Sequence, residues 1–350
     1  MGKYRIVAWG TGYLGKHGVS QIIEDPALDL VGLKVASPEK VGRDAGEIVG
    51  RAPVGVIATD DEAALLALKP DCVAYFANTA GRDADAVREM APFLEAGINV
   101  CTISHFDMQY PRHGQKAFVE PLAEAAQRGG SSILLTGEEP GFAFGQHLFA
   151  ILSTCRGIET VRFVEMSDVQ QYGGRDSLDM YGFNGDPARM PPMFTSHTGA
   201  SWHIGTLLGI ADFLGLAVED VTQTWENQAV DYPIETAAYG TLAPGRTAAT
   251  RWTVTAHALG RPLLTYQKIL RMHHGAAPEW ESTQLGKGQP GVTHKIFVDG
   301  DTPVREELFR SKGISATPTI AVNAIPFVCE ARPGVLLQQD LPLFPPRIFK

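Results

Sequence analysis

The chain has 350 residues, 44% hydrophobic and 20% charged, with 37 Gly and 23 Pro. That is ordinary globular composition, long enough for about two domains, and it excludes disordered, collagen-like and low-complexity chains. Thirty Lys and Arg against 39 Asp and Glu give a net charge of −9 with no basic run, which excludes a dedicated nucleic-acid or anionic-membrane surface.

Cys72, Cys101, Cys155 and Cys329 are far apart and sit among apolar neighbours, as reduced core thiols do. The polar start Met1-Gly2-Lys3 lacks the apolar stretch of a secretory signal, and no apolar run reaches the ~20 residues of a membrane span. A cytoplasmic protein is expected.

Tyr4-Arg5-Ile6-Val7-Ala8-Trp9 reads as a strand, followed by Gly10-Thr11-Gly12-Tyr13-Leu14-Gly15 and a helix from Lys16 to about Glu24. Asp25-Pro26 stops the helix and a second strand runs Leu30–Ala36. The alternation continues through strands at 54–58, 71–77, 99–102 and 132–136 and helices at 61–68, 82–96 and 116–128. It predicts a doubly wound parallel sheet over residues 1–140. Beyond Pro140 a helix is expected at 144–155, then β-rich segments such as Thr160–Met166 and Thr250–His257, whose alternation predicts a mostly antiparallel α+β domain over 141–330. A loop or lid is expected at 182–198, a helix at 201–214, and a last helix at about 318–331. The proline-rich tail 331–350 is expected to pack back on the body.

The glycine motif follows a strand, opens a helix and lies in a βαβ unit of the right length, so it reads as a dinucleotide site. Gly10 allows the tight turn, Gly12 removes the side chain that would block the pyrophosphate, and Gly15 lets helix and strand approach; Thr11, Tyr13 and Leu14 complete the loop. At the tip of the second strand Ser37, Lys40 and Arg43 offer a hydroxyl and two cations to a 2′-phosphate, favouring NADP, while Glu39 keeps NAD possible.

The blocks Val7–Gly12, Ser37–Gly46, Gly137-Glu138-Glu139-Pro140-Gly141-Phe142, Met180–Phe183 and Val322-Asn323-Ala324-Ile325-Pro326 resemble those of dihydrodipicolinate-reductase-like NAD(P)H-dependent oxidoreductases. The branch is that of amine dehydrogenases and 2,4-diaminopentanoate dehydrogenase. The resemblance implies an N-terminal Rossmann domain, a C-terminal α+β domain that supplies the substrate pocket and dimer contacts, reversible reductive amination of a carbonyl, and Asn323 facing the cofactor. The chain departs from that branch in two places. Ile103-Ser104-His105-Phe106-Asp107 stands where the amine dehydrogenases carry an essential Glu, and Glu139 replaces the Asn of their Asn-Pro-Gly-Phe motif.

Ligands of open α/β sheets lie beyond the carboxyl ends of the strands, so the loops at Ala77-Asn78-Thr79, after Thr102 and after Thr136 are expected around a nicotinamide. His105, Asp107 or Glu139 would move the proton, with Glu138-Glu139 also able to anchor an ammonium. Tyr172, His197, Trp202 and His203 are expected to wall a small-molecule pocket. His273-His274 lacks the spacing of a metal site, and no metal is expected. The leading expectation is an NADP-dependent oxidoreductase, a homodimer, acting on a small carbonyl, imine or amine. An enzyme that keeps its nucleotide for net non-redox chemistry, and an inactive NADP-binding sensor, are the alternatives.

Overall fold

The computed structural model describes residues 3–286, 291–311 and 315–348; Met1-Gly2 at the polar start and Phe349-Lys350 of the tail lie outside them. β1 (Tyr4–Trp9) is buried from Ile6 onward, as befits a parallel strand covered on both faces. α1 (Tyr13–Glu24) starts at the glycine turn itself and buries Gly15, Gly18, Val19 and Ile22. Gly18 is required, because a Cβ would stand 2.4 Å from the ring of Phe76. β2 (Leu28–Lys34) pairs parallel with β1.

Asp44 caps the short α2 (Ala45–Ile48), and its carboxylate also accepts the N–H groups of Val54 and Gly55. That bracing, with Gly55 at φ +81°, replaces the strand expected at 54–58 by a two-residue β3 (Ala58–Thr59). Then α3 (Glu62–Ala67), β4 (Cys72–Tyr75), α4 (Asp83–Glu95), β5 (Asn99–Thr102), α5 (Lys116–Gly129) and β6 (Ser132–Leu135) follow the predicted alternation to within about two residues at each end.

Residues 143–314 form a second compact unit. The helix expected at 144–155 is a π-helix over Glu138–His147 that runs into α6 (Leu148–Leu152). After β7 (Ile158–Asp168) comes α7 (Arg175–Met180). The segment expected as a loop at 182–198 holds α8 (Pro192–Thr195) and α9 (His197–Gly199), and the helix expected at 201–214 opens with a π-helical turn, Ala200–Ile204, before α10 (Gly205–Phe213). β8 (Asp220–Ala229), the short pair β9 (Ile234–Thr236) and β10 (Gly240–Leu242), β11 (Thr247–Ala258), β12 (Arg261–Arg271), β13 (Val292–Gly300) and β14 (Val304–Arg310) complete the unit. Six strands form one sheet, order β14-β13-β7-β12-β11-β8, antiparallel except between β7 and β12. One face is buried around Phe144, Phe163 and Tyr266.

The chain then returns to the first unit through α11 (Ala316–Glu330) and β15 (Gly334–Leu336). The expected boundary at 330 therefore moves to about 314. The reason is packing: Ala321, Val322, Ala324, Ile325 and Val328 of α11 share a core with Ile6, Cys101 and Leu134, and β15 adds to the sheet beside β6. The finished sheet has seven parallel strands in the order β15-β6-β5-β4-β1-β2-β3, the doubly wound arrangement. Among the described residues, no helix is long and apolar enough to cross a membrane.

Candidate active site

The glycine turn is built where β1 and β4 end side by side. Gly10 has φ +99°, and a Cβ on it would press to 3.0 Å from the backbone nitrogen of Ala77; a Cβ on Gly15 would stand 2.3 Å from the carbonyl oxygen of Gly10. Gly12 is different: a Cβ would meet nothing within 4 Å, and it begins α1 without a side-chain cap. The unsatisfied N–H groups of the first helical turn thus border open space, which fits the pyrophosphate of a dinucleotide. Thr11 is buried in the turn, Tyr13 exposed and Leu14 half-buried.

Lys40 reaches this turn from the segment after β2. Its Nζ lies 3.2 Å from Thr11 Oγ1 and 3.4 Å from the Thr11 carbonyl. Ser37 opens the short turn Pro38–Lys40, while Arg43 and Glu39 are exposed. The structure therefore brings Lys40, and not Glu39, against the motif.

The loops after β4, β5 and β6 converge at adjacent strand ends. Ser104 Oγ donates to the Ala77 carbonyl at 2.6 Å, and Thr79 Oγ1 to the Ser104 carbonyl at 3.5 Å. The Asn78 carbonyl takes a bond from Arg82, whose guanidinium also holds Glu89, which in turn accepts the buried Tyr75 hydroxyl. Burial and this carboxylate push the Tyr75 phenol well above its ordinary value. Asn78 and Thr79 are thus anchored from behind.

His105 and Asp107 lie at this end of the sheet but are turned into the protein. His105 is fully buried, with Nδ1 3.8 Å from Asp83 Oδ1, Nε2 3.5 Å from the Phe118 carbonyl, and its ring edge-on to Phe118. Asp107 is equally buried and accepts the N–H of Gln115, the residue that opens α5. Asp83, His105 and Asp107 have side-chain ligand atoms within 4.8 Å of one another. Sequence spacing hid this grouping because Asp83 comes from α4. Glu138 and Glu139 follow β6 on the π-helix, both buried, with the Glu138 N–H donating to Thr317 of α11. Asn323 is elsewhere: its Oδ1 accepts from Gln21 of α1 at 3.3 Å, within α11.

In the second unit, register decides which side chains meet. His294, Glu165, Lys268 and Trp252 stand directly opposite one another across β13, β7, β12 and β11, so they share one face of the sheet. Lys268 Nζ is 2.5 Å from Glu165 Oε2, and the Tyr266 hydroxyl donates to the same oxygen at 3.3 Å. Trp202 lies 4.4 Å from Lys268 Nζ, and the His203 ring stacks on both Trp252 and Tyr266. Burial first, then the Lys268 charge, holds His203 well below its ordinary pKa; burial holds His294 at about 4.

Trp202 and His203 are therefore in a buried aromatic and ionic cluster. His197 pairs with Ser201 one turn earlier, and Tyr172 packs over Gly174 after β7. Glu165, Lys268, Tyr266 and His294 escaped the sequence reading. Their strands mix polar and apolar residues throughout, so no local signal set them apart.

No family model matches the chain. An amine dehydrogenase of Streptomyces virginiae is 30% identical over 353 aligned positions, covering 97% of this chain and 96% of that one. The chain belongs to the amine dehydrogenase family. It is an NAD(P)-dependent oxidoreductase, as its glycine turn and this kinship agree. The structure of the amine dehydrogenase from Mycobacterium smegmatis superposes with a TM-score of 0.83 at 21% identity, over 98% of this chain and 97% of that one. The biliverdin reductase of a Synechocystis species, solved with biliverdin and NADP+, has a TM-score of 0.53 at 14% identity over 96% and 94%. At these identities both likenesses are of the fold alone.

Proposed function

We propose that this amine dehydrogenase family member moves a hydride between NADP and a small carbonyl, imine or amine. The observation that carries the choice of NADP is Lys40, drawn onto Thr11 while Glu39 stays outside. An ammonium beside the adenosine end favours a 2′-phosphate over a bare ribose. Gly10, Thr11, Gly12, Tyr13, Leu14 and Gly15 hold the pyrophosphate, Ser37, Lys40 and Arg43 the 2′-phosphate, and Ala77, Asn78 and Thr79 border the nicotinamide.

The cofactor supplies the hydride; the chain must position the substrate and move one proton. Glu139 is the residue we assign to that proton, ahead of His105 and Asp107. It follows the end of β6 on the π-helix and takes the place of the Asn in the family's Asn-Pro-Gly-Phe motif. On this reading His105 and Asp107 shape the loop after β5. Trp202, His203, His197 and Tyr172 supply the aromatic and polar substrate wall, and no metal takes part. The chain is further read as a cytoplasmic homodimer.

Fluorescence titration with NADPH and NADH, followed by a turnover panel of ketones and aldehydes with ammonia, and of amines with NADP+, tests this. Saturable binding that prefers NADPH, together with turnover on the panel, is expected. Absence of any nicotinamide binding overturns it. Tight NADPH binding with no turnover on the whole panel would favour a sensor.

A further inference from the structure

The second unit contains a cavity of about 270 Å³ at one end of its six-stranded sheet, where β7 and β12 finish and β13 begins. At roughly 30 Å³ per water this holds about nine waters, or a metabolite of similar size. Asp168 and Arg271 line it as directly opposed residues of β7 and β12. Met166 and Phe309 supply apolar wall, and Thr293 and Ser282 hydroxyls.

The two charges are adjacent yet not paired with each other. Arg271 is 8% exposed. Its Nε donates to the Ala276 carbonyl at 2.9 Å, and its Nη2 to the carbonyls of Ala277 and Glu281 at 3.3 and 2.9 Å. Among the described residues Nη1 has no hydrogen-bond partner, and no carboxylate lies within ion-pair distance of the group. Asp168 uses Oδ1 to accept the N–H of Gln170 at 3.0 Å, and among the described residues Oδ2 has no hydrogen-bond partner. Both groups feel the loss of water: burial lowers the Arg271 pKa and raises that of Asp168. Burying a cation and an anion side by side without pairing them is costly, unless a third body completes both.

We propose that this cavity binds a small zwitterion, its carboxylate on Arg271 and its ammonium on Asp168, with a short apolar side chain against Met166 and Phe309. Adjacent strands lie about 4.8 Å apart, so one α-amino acid reaches both charges from a single position. A plain amine or a plain carboxylate satisfies one and leaves the other bare. The site lies wholly in the second unit, and the inference is independent of the nicotinamide reading.

Calorimetry and thermal-shift titrations of the full chain with L-alanine, L-valine and L-methionine test it, with butylamine and butyrate as half-ligands. At least one amino acid should bind saturably, and both half-ligands should bind about tenfold or more weakly, as loss of one charge-assisted bond gives. Asp168→Asn keeps an acceptor for Gln170 and removes the charge. It should weaken the amino acid about tenfold and leave butyrate unchanged. Absence of saturable binding by all three amino acids, or equal binding to D168N, overturns the proposal. NADPH titration of the same samples reads the nucleotide site separately, so failure of either reading is distinguishable from failure of the other.

Discussion

Lys268 and Glu165 face each other across β12 and β7 with 2.5 Å between ammonium and carboxylate, both almost completely buried, and Trp202 lies over the ammonium. A charge pair taken out of water gains little net stability over an apolar pair of the same volume, whereas an orphaned partner costs about 3–5 kcal/mol. We therefore expect Lys268→Met or Glu165→Leu alone to lower unfolding free energy by roughly that amount. The double variant should return close to wild type in denaturant melts. Additive losses in the double variant would show that the two groups act separately.

The buried histidines set an acid limit on stability. His294 has its pKa lowered from 6.5 to about 4 by burial, so the unfolded chain takes up a proton that the folded chain refuses. Stability from this group is whole above pH 6.5 and falls as pH drops toward 4, by roughly 3 kcal/mol over the window. His294→Gln should flatten that limb of a plot of unfolding free energy against pH. An unchanged slope between pH 6.5 and 4 would contradict the assignment.

Gly12 and Gly15 should separate binding from folding. A side chain at Gly12 enters open space, while one at Gly15 strikes the Gly10 carbonyl. Gly12→Val is expected to melt like wild type yet lose NADPH affinity by at least ~100-fold, since it occupies the pyrophosphate path. Gly15→Ala is expected to lose stability first, by 1–3 kcal/mol or about that for an overpacked contact. Comparison of melting temperature with NADPH titration for both variants decides the matter.

Lys40 sits on the Thr11 side of the turn. Removing one charge-assisted bond to a phosphate costs about 1.5–3 kcal/mol, so Lys40→Ala should weaken NADPH roughly 10- to 100-fold and NADH hardly at all. Equal losses for both nucleotides would place Lys40 on the shared part of the cofactor.

The tail is fastened by Arg347, whose guanidinium grips the fully buried carboxylate of Asp25 at 2.8–3.1 Å and donates to the carbonyls of Asn323 and Val322. Arg347→Ala leaves that carboxylate buried with the Ala27 N–H but no cation and should cost about 3–5 kcal/mol of stability, read by chemical unfolding. Asp25→Asn in the same chain should recover part of it, because a neutral amide does not need the guanidinium.

By itself the sequence determined the α/β alternation, the glycine turn and the membership of the enzyme family, because each is written in contiguous residues: period-2 and period-3.6 patterns, and the spacing Gly10, Gly12, Gly15. His105, Asp107 and Glu139 were also rightly located after strand ends, yet which way a loop side chain turns depends on α4 and α5, which lie far along the chain. Tertiary structure decided the rest. It returned residues 315–348 to the first unit, because the apolar face of α11 has its partners on β1, β5 and β6. It also brought Glu165 to Lys268 and Asp168 to Arg271, since a ladder places residues about a hundred positions apart on the same face, and no local pattern encodes strand register between distant segments.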